Sequence, residues 1–149
     1  MKLKHFNLKI VSKNGHSIYK VEGYPKLTII ETKSINAEFY KLSTKEVLNV
    51  LDHFKVLKKL KQIKIIHTQV YNLQGLVKRE NQLTKPDKLT LYAVSFLTKG
   101  RFGIKDERKN TLFTLMHEIA HIKGEYSEPK ADKWAVKNID KLWDKMIKE

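Results

Sequence analysis

The run His117-Glu118-Ile119-Ala120-His121 brings together the residue types that hold a divalent metal and use it for hydrolysis. On a helix, residues four apart share a face, so the two imidazoles point the same way. They offer two nitrogen ligands to one ion, and borderline-soft Zn²⁺ takes neutral imidazole readily. Such an ion lowers the pKa of its water toward about 7. Glu118, adjacent to that water without being a ligand, is the expected general base. A catalytic zinc takes three protein ligands and leaves a fourth position for water. No histidine follows His121, which excludes a downstream histidine ligand, and the chain has no cysteine, so a nearby carboxylate is the expected third ligand. The nearby carboxylates are Glu125, Glu128 and Asp132. Glu128 is the expected ligand, set against a plain role as a helix N-cap. Asp132 is the reserve ligand, better suited to hydrogen-bonding a ligand histidine.

Two helices must position these groups. Asp106 can cap the first, with Glu107 in its first turn near the positive end of the dipole. Leu112, Leu115, Met116, Ile119 and Ile122 recur at helical spacing as one apolar stripe, and Gly124 supplies a stop. An amphipathic helix over 106–123 follows, with both histidines at the edge of the stripe. Pro129 suits the first position of a second helix, which makes Glu128 its cap. Ala131, Trp134, Ala135, Ile139, Leu142 and Met146 form that helix's apolar face. The short turn Gly124-Glu125-Tyr126-Ser127 returns the chain toward the histidines.

His117-Glu118-Ile119-Ala120-His121, followed by Glu128-Pro129-Lys130-Ala131-Asp132-Lys133-Trp134-Ala135, resembles the H-E-[LI]-[AG]-H … E-x-x-A-[ND]-x-[FW]-A pattern of the ImmA/IrrE-type metallopeptidases. The resemblance covers the two C-terminal helices, and the first half of the chain is merely compatible with it. It implies a gluzincin-like zinc site of His117, His121 and Glu128, with Glu118 as catalytic base. It also implies a protein substrate, of which a transcriptional repressor is the family's usual example, and an origin in a bacterium, phage or mobile element.

Composition sets the remaining bounds. A chain of 149 residues suits a single domain with a real core, and 41% hydrophobic residues exceeds what a disordered chain carries. The absence of cysteine excludes disulfides and thiolate chemistry. No apolar run has the length of a membrane span, and Met1-Lys2-Leu3-Lys4-His5 lacks an apolar signal core, so no membrane association and a cytoplasmic location are expected. The 30 basic and 16 acidic residues leave a net charge of +14, densest on Lys55, Lys58, Lys59, Lys61 and Lys64. Only Arg79, Arg101 and Arg108 are arginine, so loose phosphate contact is expected rather than base-specific reading of nucleic acid.

Along the first half, Phe6 to Val11 and Ser17 to Glu22 alternate around Ser12-Lys13-Asn14-Gly15, a hairpin signal. Leu27 to Ile30 suggests a third strand. Ser43 or Thr44 opens a helix carrying Val47, Leu48, Leu51, Phe54, Leu57 and Leu60, with Val56 off its stripe and the lysine cluster on its opposite face. Short strands are expected near Ile63 to His67 and Leu73 to Val77. Leu89 to Phe96 reads either as the sheet edge that receives substrate or as a central strand. The expected whole is an α+β, small zincin-like domain over 1–149: a β-rich part at 1–42, a basic amphipathic helix at 43–62, strands at 63–105 and metal-binding helices at 106–149. A twisted sheet packs on the H-E-x-x-H helix, with one more helix at the C-terminus. His5, His16, His53 and His67 show no paired spacing. Tyr126 is the nearest candidate to stabilise an oxyanion, with Tyr92 and Arg101 as alternatives. The chemistry expected is zinc-dependent peptide hydrolysis. A non-catalytic regulator and a nucleic-acid-binding protein on the same scaffold are the competing classes.

Overall fold

In the computed structural model, residues 3–12, 16–32, 42–66, 75–78, 87–92 and 101–148 are described. Strands β1 (Leu8–Ser12) and β2 (His16–Val21) pair antiparallel, as the alternation around Asn14-Gly15 implies. The connecting residues 13–15 lie outside the described residues. The turn at Gly23, with φ of +88°, returns the chain into β3 (Tyr24–Thr32), antiparallel to β2 and longer than its apolar run suggests. β4 (Gln62–Ile66) lies parallel to β3, and β6 (Lys88–Tyr92) parallel to β4. β5 (Gly75–Lys78) pairs antiparallel with β6, closing a six-stranded mixed sheet of order β1-β2-β3-β4-β6-β5. Leu89 to Tyr92 is therefore a central strand, and the edge beyond it is β5. The edge reading of this segment fails because β5 occupies its free side. Residues 93–96 of that expected strand lie outside the described residues, as do His67 to Leu73.

Helix α1 (Thr44–His53) starts on a capping box: the Ser43 hydroxyl accepts from Glu46 N–H and the Glu46 carboxylate accepts from Ser43 N–H. It is shorter than the 43–62 expected. Lys55, at φ of +60°, takes the left-handed position that ends the helix, with Lys55 N–H bonded to Asp52 O and Val56 N–H to Leu51 O. This is a Schellman closure with lysine where glycine is usual, so composition gave no stop signal. Val56, off the helical stripe, is buried because it lies past this closure. Leu57–Lys59 form a single 3₁₀ turn, and the lysine cluster runs from the closure at Lys55 through this turn into β4 rather than along α1.

Helix α2 (Glu107–Ile122) and helix α3 (Glu128–Ile147) pack together as a hairpin, with α2 also against β5 and β6. Asp106 caps α2, its carboxylate accepting from Lys109 N–H at 2.9 Å. The expected single stripe on α2 is corrected: Asn110, Thr111 and Thr114 are buried along with Leu112, Phe113, Leu115 and Met116. Sheet on one side and α3 on the other enclose the helix nearly all round, so polar residues are drawn inside with it. An Arg108–Glu46 ion pair ties its first turn to the start of α1. The apolar faces of α1, α2 and α3 join Ile29, Ile63, Ile65, Leu89 and Leu91 in one core, on one side of the sheet. The chain is thus α+β, and no helix among the described residues is long and apolar enough to cross a membrane.

Candidate metal centre

The site is built where α2 ends and α3 begins. Lys123 closes α2, and Gly124, at φ of +112°, takes the left-handed position after it. Gly124 N–H bonds to His121 O and Glu125 N–H to Ala120 O, both at 3.0 Å, which is again a Schellman closure. Its consequence is chemical. The closure turns the Glu125 carbonyl back over the last helical turn, where it accepts a hydrogen bond from His121 Nδ1. Glu125 also uses its carboxylate to accept from Ser127 N–H at 3.1 Å, fixing the turn.

Ser127, not Glu128, caps α3: its hydroxyl accepts from Lys130 N–H, and Glu128 and Pro129 open the helix. The expected cap is thus one residue off. With the capping oxygen supplied by Ser127, the Glu128 carboxylate is released from that task and turns toward the histidines. Its Oε2 lies 2.8 Å from His117 Nε2 and its Oε1 lies 2.9 Å from His121 Nε2. The two Nε2 atoms are 3.0 Å apart. His117, His121 and Glu128 offer donor atoms that all fall within 4.8 Å of one another and can hold a metal ion. The histidine side chains are largely buried, 12% and 14% exposed, whereas Glu128 is 74% exposed.

Tautomers decide what this cluster is suited to. A carbonyl oxygen only accepts, so His121 Nδ1 carries the proton and its Nε2 presents a lone pair. Asp132 Oδ1 lies 2.7 Å from His117 Nδ1, and a carboxylate there likewise places the proton on Nδ1. In the neutral rings both Nε2 lone pairs therefore face each other and the Glu128 oxygens. Three acceptors crowded within hydrogen-bond distance repel unless a cation lies among them. Two imidazole nitrogens and one carboxylate are a fitting donor set for zinc, and each ring has its outer nitrogen engaged as metal-binding histidines do. Asp132 thus occupies the supporting position, while Glu125 contributes through its backbone, a role no side-chain pattern signals. The usable sign in the sequence was Gly124, whose stop places that carbonyl.

Glu118 is 6% exposed, on the inward side of α2. Burial pushes its carboxyl up to about 7; positive charge on His117 and His121 would pull it down and Glu128 pushes it further up. A carboxyl with that proton affinity exchanges protons readily near neutrality. Tyr126 projects from the turn at 65% exposure. The side chains of Tyr92 and Arg101 lie outside the described residues. The other described histidines stand apart from the cluster: His5 pairs with Asn7, His16 begins β2, and His53 packs edge-on against Phe54. No protein-family model, curated protein or solved structure matches this chain.

Proposed function

We propose that the chain is a zinc-dependent metallopeptidase of the ImmA/IrrE type, acting on a protein substrate, with a transcriptional repressor as the leading candidate. The observation that carries this reading is the convergence of two unprotonated Nε2 atoms and the Glu128 carboxylate beside the buried Glu118. His117, His121 and Glu128 would hold the zinc. When bound, zinc acidifies water toward a pKa of about 7 and polarises a scissile carbonyl. Glu118 takes a proton from the attacking water and passes it to the leaving amine, a task suited to a carboxyl poised near neutrality. Asp132 and the Glu125 carbonyl hold the two rings in the tautomer that presents Nε2. A zinc serving structure alone has no use for a carboxylate buried beside it, and Glu118 therefore favours catalysis over a binding-only role.

Elemental analysis of purified wild type, His121→Ala, Glu128→Ala and Glu118→Gln proteins tests the reading, joined to a cleavage assay on an unfolded protein substrate. Wild type and Glu118→Gln are expected to carry one zinc per chain, the two ligand variants far less, and only wild type to cleave. A wild type that binds no zinc on addition sinks the proposal. Zinc binding with cleavage retained in Glu118→Gln would remove Glu118 from the mechanism.

A further inference from the structure

Among the described residues, the sheet has one face in the core and one face on which no helix packs. Every helix packs with Ile29, Ile63, Ile65, Leu89 and Leu91, which are at most 1% exposed. Side chains alternate along a strand, so the neighbours of these residues occupy the other face. Register brings Lys9 opposite Lys20, Lys20 opposite Thr28, Thr28 beside Gln62, and Gln62 beside Lys88. Lys64 and Lys26 belong to the same face, one residue beyond Ile63 and one before Leu27. Lys9, Lys20, Lys26 and Lys88 are exposed, and Lys64 is half-buried among its strand neighbours. Among the described strand residues this face carries no Asp or Glu: Glu31 lies in register with buried Ile65, on the other side.

Two further features separate this surface from ordinary solvated lysine. Directly opposed like charges destabilise a strand pair, yet Lys9 stands opposite Lys20. The exposed side of α3 is also rich in lysine, but there Asp140 and Asp144 are interspersed and Lys109 reaches Asp140 at 2.7 Å. Lys9, Lys26, Lys64 and Lys88 make no ion pair among the described residues, and Lys20 donates only to the Thr28 hydroxyl at 2.7 Å. Adjacent strands lie about 4.8 Å apart, so the row from Lys9 to Lys88 runs roughly 19 Å across the sheet. Duplex DNA presents a negative charge about every 1.7 Å of its axis, so a strip of this length offers more phosphates than the five lysines need, and each can find one within reach.

We propose that the open sheet face of β1, β2, β3, β4 and β6 binds the phosphate backbone of duplex DNA without reading its sequence, through Lys9, Lys20, Lys26, Lys64 and Lys88. Lysine is a point charge rather than a planar fork, which suits phosphate and not base edges. The described side chains of this face include no Phe, Tyr or Trp. Their one ring is the His16 imidazole, four residues along β2 from Lys20. A single ring offers no run of stacking platforms, which favours duplex over single strand. The surface lies across the sheet from α2 and the metal centre, so it does not depend on the peptidase reading. If that reading holds, the face would bring the active site to a DNA-bound protein.

Fluorescence anisotropy with a labelled 20-base-pair duplex, over a series of salt concentrations, tests the proposal on the full chain. With about five phosphate contacts, log K is expected to fall against log salt with a slope of about −4. Lys9→Gln/Lys20→Gln/Lys88→Gln should make that slope shallower by about 3 and weaken binding at least tenfold near 0.1 M salt. Lys133→Gln/Lys137→Gln/Lys141→Gln on α3 removes the same charge and should stay within about twofold of wild type. Circular dichroism and thermal unfolding of both variants establish that each is folded. Equal weakening by the two triple variants would show a net-charge effect and overturn the site. Absence of duplex binding in low salt, or tighter binding of poly-glutamate or of single-stranded DNA, would overturn the choice of partner.

Discussion

At the scale of single residues, the cluster is arranged by protons as much as by distances. His117 takes its tautomer from a side chain, Asp132, and His121 takes its own from a backbone carbonyl. Asp132→Asn removes the charge that holds the Nδ1 proton, and metal affinity should fall about 10- to 100-fold in a chelator competition. An unchanged affinity would mean that the helix backbone alone orients the ring. Glu118 gives a second test. Its carboxyl is raised from 4.5 to about 7 in the folded, metal-free chain, so folding favours its protonated form. That contribution is complete below pH 4.5 and is lost as pH rises through 7. Metal-free Glu118→Gln should therefore match wild type in stability near pH 4.5 and exceed it by about 3 kcal/mol at pH 8, measured by denaturant unfolding. A gap that does not vary with pH would count against the buried carboxyl as its source.

At the scale of elements, the turn between α2 and α3 does two jobs with one backbone geometry. Gly124 ends α2 in a left-handed conformation, and the same closure delivers the Glu125 carbonyl to His121. A methyl group at Gly124 would meet no atom within 4 Å, so the cost of Gly124→Ala is conformational rather than steric crowding with neighbours. We expect a loss of about 1–2 kcal/mol in thermal or denaturant unfolding, together with weaker metal binding. Loss of stability with metal affinity unchanged would show that the carbonyl is not needed to orient the ring. α1 ends by the same closure with Lys55 in the special position, and this explains why its end was invisible in residue types.

At the scale of the whole molecule, the His117–His121–Glu128 cluster joins two helices that already share a core. Ala131, Ala135, Ile139 and Leu142 bury the inner face of α3, and Lys109 and Asp140 bridge the helices at the far end of the hairpin. Chelation should therefore leave the far-ultraviolet circular dichroism nearly unchanged while lowering Tm. Free zinc at 1,000 times its Kd stabilises by about 4 kcal/mol, or roughly 8–16 °C for a domain of this size. A chain that unfolds outright on chelation would belong instead with small metal-dependent domains.

How much was legible in the residues follows from the range of the forces involved. His117, Glu118, His121, Asp106 as a cap, and the β1–β2 hairpin all rest on spacings within one turn or one loop, and local geometry fixes these. The choice between Ser127 and Glu128 as the cap of α3 was not local in this sense. Either side chain can cap, and the outcome is coupled to the histidines that wait for a third acceptor across the hairpin. The burial of α2 on all sides, and the central place of β6, depended on which elements flank them in space. Strand order and helix partners are set by contacts between residues far apart in sequence, through the burial of Ile29, Ile63, Leu89 and Phe113 in one core. The sequence by itself determined the two imidazoles, the carboxylates near them and the helix that carries both histidines. Only the tertiary structure decided that Glu128 meets both imidazoles, that Asp132 stands behind one of them, and that the lysines of five strands share one open face.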